Sequence, residues 1–545
     1  MNQTWKILGK YNGKKPFVET LLNLRGITDI EEFMNVPSIA SYFKDFDIEF
    51  KKSLKRASNL IKNSIENGVQ IVIFGDYDSD GINASAILFN TIKKELGYEK
   101  IDFFIPNRFD HGYGFSKEAF DEIFKKFKDQ KLLVISVDSG ITANDDVQYV
   151  KDQGHSVIIT DHHQKPKQLP NADVVVWNDQ IVGAAVAWFL SKALGSNDSQ
   201  NIGLAATGTV TDLYPLVGFN RSLVKRGLEI LNTNPPVGFS KLVELSGTKR
   251  DKIGTYELGW VVGPRLNASG RIMDATESLQ LLVEEDLSKI ESIAFKLNKI
   301  NAERQEKTLE MFNLASEFDD ANLPKVIFSA HKDYHEGIIG LVAARLVQKY
   351  YRPAIVISLN GDEGKGSVRS IEGVNIIEYL REFEDLFLNL GGHPMAAGFT
   401  IKTKNIEKLQ KKMLAIADDK IPDDLLTPCL KIDLEIPISV VSEKLLEDIE
   451  LMQPFGLGNP QPVFCTKNLS ISDVSTMGKD NNHLRFKFYD GDKYYKGVSF
   501  NAPKEYFDYK FGDTVDIAYT LKRNDYNGKT YVDLFLKDIK LIENK

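Results

Sequence analysis

Five short apolar runs, "QIVIF", "IDFFIP", "LLVISV", "HSVIIT" and "DVVVW", fall between Gln70 and Trp177. Amphipathic helical stretches such as "NASAILFNTIKKELG" and "ANDDVQYVKDQG" separate them. Strands that are apolar throughout have both faces buried, and helical crossovers make neighbouring strands parallel. From "KKSLKRASNLIKNSIENG" onward the chain therefore reads as an α/β doubly wound domain.

From Gly183 to about Phe318 helical segments dominate. The stretch "EEDLSKIESIAFKLNKINAERQEKTLEMFNLASEF" keeps a helical apolar period without Gly or Pro, which suits a helix connecting two lobes. After "NLP" the alternation resumes with "KVIFSA", "GIIGLVAARLVQKYY" and "PAIVISL", a second α/β lobe. The tail offers short strands separated by turns such as "YDGDK" and "NDYNGK". Its length and turn spacing fit a five-stranded barrel of the OB type, with an immunoglobulin-like sandwich as the alternative. The expected division is an N-terminal extension (1–50) without clear signal, a first domain (51–285), a connecting helix (286–322), a second lobe (323–426) and an all-β domain (427–545).

No apolar run is long enough to span a bilayer, and "MNQTWKILGKYNGKK" lacks a signal-peptide core. Cys429 and Cys465 are too few for a disulfide framework or a zinc finger. The expectation is a reducing, cytoplasmic location. A formal net charge of -8 argues against a polyanionic partner, unless several acids hold cations that invert the local potential.

The acids invite that exception. "GDYDSDG" puts Asp76, Asp78 and Asp80 directly after the first strand, with no cation within the stretch. "LLVISVDSG" ends in Asp138, "HSVIITDHH" in Asp161, His162 and His163, and "ATGTVTDLYPL" presents Asp212. One aspartate after a strand is usually a helix cap. Caps alone do not explain carboxylates and imidazoles at several strand ends of one sheet, which is where α/β sites form. A calcium loop of the EF-hand kind would need a downstream Glu and helical flanks, which are absent. Oxygen ligands with one or two imidazoles and no thiolate suit Mn²⁺ or Mg²⁺, and this many carboxylates suits two ions for phosphoryl displacement.

"GDYDSDG", "DSG", "TDHH" and "TDLYPL" resemble, in order, the motifs of the DHH phosphoesterases. "GPRLNASGRI", "HEGIIGLVAARL", "GKGSVRS" and "GGHPMAAGF" resemble the further motifs of the RecJ family, and "PFGLGNPQPVF" is similar to the lead into its OB domain. Any one is weak; in register along one chain they are specific. The resemblance implies a DHH domain, a DHHA1-like domain and an OB-like nucleic-acid-binding domain. It implies a single-strand-specific 5′-to-3′ DNA exonuclease of repair and recombination, dependent on two Mn²⁺ or Mg²⁺ ions. Its partners would be single-stranded DNA, a single-strand-binding protein and a repair helicase.

Carried onto this chain, the resemblance gives Asp78 and Asp138 one ion with help from Asp76. Asp80, Asp138, His162 and Asp212 would hold the other, with Asp138 bridging and His163 near the scissile phosphate. Phe74 stands where many DHH enzymes carry a His, which moves weight onto Asp76. Arg271, Ser367, Arg369 and His393 would contact the phosphate backbone, and Arg108 in "IPNRFDHGYG" is the candidate for the 5′ end. Aromatics interleaved with cations in "RFKFYD" and "KYYKGVSF" suit stacking on single strands. Two rivals share the motifs: a DHH phosphodiesterase for short oligonucleotides or cyclic dinucleotides, and a non-catalytic DHH-type single-strand-binding replication scaffold.

Overall fold

A computed structural model describes residues 3–112, 114–249, 252–318, 322–526 and 528–542. The contacts divide the chain into two units. The larger comprises Pro37–Asp418 with Gly456–Asn459; the other comprises Met1–Val36, Asp419–Phe455 and Pro460–Lys545.

The larger unit holds a five-stranded sheet in the order Ile101–Phe104, Gln70–Phe74, Leu132–Val137, Ser156–Asp161, Val174–Trp177. Every pairing is parallel. The residues alternate between two apolar layers. Ile71, Ile73, Leu133 and Ile135 face a core shared with the helices Ile48–Glu66, Ser79–Asn90 and Gly183–Leu194. Val72, Phe74, Leu132 and Val134 face Phe120 and Ile123 of Lys117–Lys126 and Val147 and Val150 of Asn144–Asp152. The apolar runs arise because both faces are covered. The strand order reverses at Gln70–Phe74, so the crevice beside the carboxyl ends of Gln70–Phe74 and Leu132–Val137 is a topological switch point, the usual place for a ligand.

The 29-residue helix Leu287–Ala315, capped by Asp286 through the Ser288 and Lys289 amides, leads to the second lobe. There the sheet order is Phe387–His393, Ala396–Lys402, Glu363–Arg369, Ala354–Asn360, Ile327–His331. Only the last pair is parallel. "GGHPMAAGF" is a β-hairpin in this sheet, with His393 opposite Ala396.

In the other unit, Phe464–Met477, His483–Tyr489, Tyr494–Ser499, Lys529–Leu541 and Thr514–Tyr526 are neighbours in that order. Thr514–Tyr526 then pairs back onto Phe464–Met477, closing a barrel. Among these five strands, the described residues pair in parallel between Tyr494–Ser499 and Lys529–Leu541. Closure and this strand order make it an OB barrel and exclude the sandwich, which would leave two open sheets. The N-terminal strand Thr4–Lys10 pairs in parallel with Cys429–Glu435, which leads into the barrel. Arg25 grips Asp433 through two hydrogen bonds, at 2.8 and 3.0 Å.

Candidate metal centre

The first aspartates leave the strand Gln70–Phe74 at the switch point. Asp78 caps the helix Ser79–Asn90, its Oδ1 accepting from the Asp80 amide at 2.9 Å and the Gly81 amide at 3.1 Å. Asp80 is buried, and its two oxygens accept from the Gly183 amide at 2.8 Å and the Ala184 amide at 3.0 Å. These are the first amides of the helix Gly183–Leu194, whose positive end favours a carboxylate. Asp138 is not a helix cap: the next helix starts at Asn144 behind Ala143. Its backbone holds a left-handed φ of 59°, a conformation aspartate tolerates better than most residues.

Glycines make room for these carboxylates. A Cβ on Gly183 would stand 2.6 Å from the Asp138 Cβ, and one on Gly208 would overlap Asp80 Oδ1.

His162 Nε2 lies 2.9 Å from Asp138 Oδ1, 3.8 Å from Asp80 Oδ2 and 3.9 Å from Asp212 Oδ2. Burial, then the charge on His163, depresses the His162 imidazole to about 4, so these contacts are not ion pairs at neutral pH. Burial also lowers His163, but its 2.7 Å bond to Asp161 and the charges of Asp161, Asp212 and Asp76 lift it to about 9. It is therefore an imidazolium at pH 7. Both oxygens of Asp161 are taken by hydrogen bonds. It accepts from the His162 and His163 amides and, through its other oxygen, from the Ile141 amide.

Burial first, and then neighbouring aspartates, raise the carboxyls of Asp76, Asp80 and Asp138 well above the ordinary range. Burial and Asp78 lift Asp212 to about 7. Asp76 Oδ1 and Asp138 Oδ1 are buried with no hydrogen-bond partner. Orphaned carboxylate oxygens crowded by like charge fit a divalent cation. Among the described residues, three sets have one ligand atom per residue, all within 4.8 Å of one another: Asp76/Asp78/Asp138, Asp80/His162/Asp212 and Asp138/His162/His163. Phe74 adds no ligand atom; it is fully buried, its ring 4.7 Å from Phe115 and 5.4 Å from Phe120.

Of the expected phosphate contacts, Arg108, Arg271, Ser367 and Arg369 belong to a second, cationic group. The Arg108 guanidinium lies 4.4 Å over the Tyr77 ring and donates to its hydroxyl at 2.8 Å. Burial first, then the charges of Arg108, Arg304 and Arg369, pull Arg271 down to about 10, so this one guanidinium feels three others. Arg369 donates to Ser367 Oγ at 3.2 Å. A Cβ on Gly340, near the start of the helix Ile339–Tyr350, would come within 3.1 Å of both side chains. Guanidinium groups beside a helix N-terminus have the chemistry to suit an anion. His393 stands apart: it is exposed on the outer strand, two strands across from Arg369 in the row His393–Ala396–Arg369.

The DHH family N-terminal domain matches residues 70–209, the DHHA1 domain 323–419 and the RecJ OB domain 432–538. The single-stranded-DNA-specific exonuclease RecJ of Bacillus subtilis is 32% identical over 545 residues, covering 97% of this chain and 68% of that protein. The chain belongs to the RecJ family. RecJ of Thermus thermophilus is 31% identical, covering 90% of this chain and 71% of that protein. The crystal structure of RecJ with Mn²⁺ from Thermus thermophilus matches with a TM-score of 0.82 at 26% identity, covering 99% of this chain and 80% of that one. A structure of the same RecJ with Mg²⁺ matches with a TM-score of 0.77 at 25% identity, covering 99% and 79%. Among the described residues of this RecJ-family chain, no helix is long and apolar enough to cross a membrane.

The shifted groups give a pH dependence. His163, lifted from 6.5 to about 9, contributes stability that is whole below 6.5 and is lost as pH climbs through about 9. Asp212, lifted from 3.8 to about 7, costs stability as pH rises through that window, because the folded state keeps a proton that the unfolded state has released. His162, lowered from 6.5 to about 4, acts in the opposite direction, but its effect is complete by pH 6.5. In EDTA the protein is expected to melt lower at pH 9 than at pH 6.5. Saturating Mg²⁺ should narrow the gap, since a cation bound only by the folded state stabilises it and takes the place of those protons. Thermal melts by circular dichroism check this; a melting temperature that climbs from pH 6.5 to 9 in EDTA would contradict the assigned shifts.

Proposed function

We propose that this chain is a 5′-to-3′ exonuclease of single-stranded DNA that hydrolyses phosphodiesters with two Mn²⁺ or Mg²⁺ ions. The observation that carries the reading is the set of overlapping ligand groups at the switch point, in a chain similar to RecJ over nearly all its length. Asp76, Asp78 and Asp138 hold one ion; Asp80, Asp138, His162 and Asp212 hold the other, with Asp138 common to both. Bound ions supply Lewis acidity that activates water and neutralises charge on the phosphate. His163, charged at pH 7, is placed to donate to a phosphate oxygen and not to abstract a proton. Asp161 keeps it charged and oriented.

Arg108, Arg271, Ser367 and Arg369 receive the phosphates at the 5′ end, and His393 meets the backbone further along. The barrel contributes sequence-tolerant stacking. Tyr494 and Phe500, 58% and 53% exposed, lie on or just after its third strand, the side on which OB folds hold single strands. Lys487 sits 4.2 Å over the Tyr494 ring. This domain favours a long strand over the short or cyclic substrates of other DHH phosphodiesterases, and the intact ligand set favours an enzyme over a scaffold. A cytoplasmic repair setting, with a single-strand-binding protein and a helicase as partners, belongs to the same reading.

The test is digestion of a long single strand labelled at the 5′ or the 3′ end, with Mn²⁺ or Mg²⁺, beside duplex DNA, dinucleotides and cyclic dinucleotides. The 5′ label should be released first as mononucleotide, with duplex spared. Faster cleavage of the dinucleotides or cyclic dinucleotides would replace this reading with the short-substrate one.

A further inference from the structure

Tyr214 lies two residues beyond Asp212 and has no part in the roles assigned above. The helix Gln200–Thr211 ends in a paired cap: the Tyr214 amide donates to the Thr209 carbonyl at 3.1 Å and the Leu213 amide to the Val210 carbonyl at 3.3 Å. Leu213 takes the left-handed position of this turn, φ 57°, which usually falls to glycine. The reversal brings both flanking side chains to one imidazole. Asp212 Oδ2 is 3.9 Å from His162 Nε2, and the Tyr214 hydroxyl is 2.7 Å from His162 Nδ1.

The same hydroxyl lies 3.1 Å from the Asp179 carbonyl oxygen. A carbonyl only accepts, so for both contacts to be hydrogen bonds at once the single phenolic proton goes to Asp179. The hydroxyl then offers only lone pairs to His162, and Nδ1 must be the donor. Nε2 is left with its lone pair toward Asp138, Asp80 and Asp212. Without the hydroxyl nothing holds the proton on Nδ1, and the carboxylates of Asp138, Asp80 and Asp212, 2.9–3.9 Å from Nε2, favour the tautomer that carries it there. That tautomer points a proton at the place where a cation would sit.

We propose that Tyr214, held by the Asp179 carbonyl, fixes the His162 tautomer and is a positioning residue for the cation held by Asp80, His162 and Asp212. The inference rests on reading that cluster as a metal centre. A partner on the far nitrogen of a metal-bound histidine typically changes metal affinity by about 10–100-fold.

The experiment uses the full chain, its Tyr214→Phe variant and, as control, His162→Ala. Mn²⁺ binding is measured by electron paramagnetic resonance of the free ion. The tautomer is read by ¹⁵N NMR of histidine-labelled, metal-free protein at pH 7.5, with His162→Ala assigning the signal. Tyr214→Phe should weaken one Mn²⁺ site by about 10–100-fold, move the proton from Nδ1 to Nε2, and recover its kcat at high Mn²⁺ with KM for DNA unchanged. An Nε2–H tautomer in the parent overturns the proposal without any variant. So does parental Mn²⁺ affinity in a folded Tyr214→Phe while His162→Ala has lost a site. If His162→Ala itself binds Mn²⁺ as the parent does, the metal-centre reading fails, and the proposal with it.

Discussion

Asp138→Asn is expected to abolish hydrolysis while leaving the fold intact. Asp138 belongs to the ligand set with Asp76 and Asp78, and its Oδ1 lies 2.9 Å from His162 Nε2. An amide there weakens both proposed cation sites at once. If the ions supply several kcal/mol of transition-state stabilisation, losing about 4 kcal/mol costs roughly a thousandfold in rate. Asparagine is the appropriate replacement because it tolerates the left-handed backbone at this position, where alanine would add strain. The same change removes a carboxylate that burial and the charges of Asp80, Asp78, Asp76 and Asp161 disfavour. The cation-free variant should therefore melt at or above the parent. Nuclease assays with circular dichroism melts in EDTA check both halves. Activity within tenfold of the parent would sink the bridging assignment.

The second large effect is on substrate affinity. Residues 37–418 alone are expected to keep most of kcat and to need more than ten times the substrate. No proposed ligand lies outside this stretch, whereas the barrel is the proposed stacking surface. Two bases stacked at roughly 1–3 kcal/mol each exceed the 1.4 kcal/mol that corresponds to tenfold. The salt dependence should also flatten, as fewer phosphates are neutralised. The cut must remove the first 36 residues with the tail, because the strand Thr4–Lys10 pairs with Cys429–Glu435. It also costs some stability: Gly456–Asn459 belongs to the larger unit, and the Leu216 amide donates to the Leu457 carbonyl at 2.6 Å. Steady-state kinetics on a long strand at two salt concentrations decide it. An unchanged KM with a collapsed kcat in a folded core would move the tail into the chemistry.

The parallel sheet was legible because strands covered on both faces need apolar residues at every position, as in "QIVIF". The ligand candidates were legible because they follow strand ends directly. Where a residue acts through a partner distant in sequence, the signal fades. Asp161 read as part of the DHH run, yet its oxygens hold His163 and the Ile141 amide. Nothing in "TDLYPL" marks Tyr214 as a functional residue; only the fold brings the Asp179 carbonyl to it. Gly183 gave one faint sign, a glycine opening an otherwise apolar helix, and Asp138 occupies the space its side chain would fill. Length and turn spacing favour the OB barrel but leave the sandwich open, because the deciding fact is the pairing of Phe464–Met477 with Thr514–Tyr526. "TWKILGK" gave no strand assignment for a similar reason: its partner lies more than four hundred positions away.

That last pairing sets a schedule for synthesis. The Thr4 amide bonds to Pro428, 424 positions later. At roughly 5–20 residues per second, the first strand waits on the order of 20–85 s before its partner is made. Throughout that interval the segment lacks its native partner, and an unpaired β-forming segment is open to association with other chains. Lys6 and Lys10 lie within the strand, and lysine on an edge is a standard protection against strand-to-strand association. Once the barrel lead-in arrives, Lys10 finds Glu435 at 2.6 Å. The charge that keeps the waiting strand soluble thus becomes part of its docking.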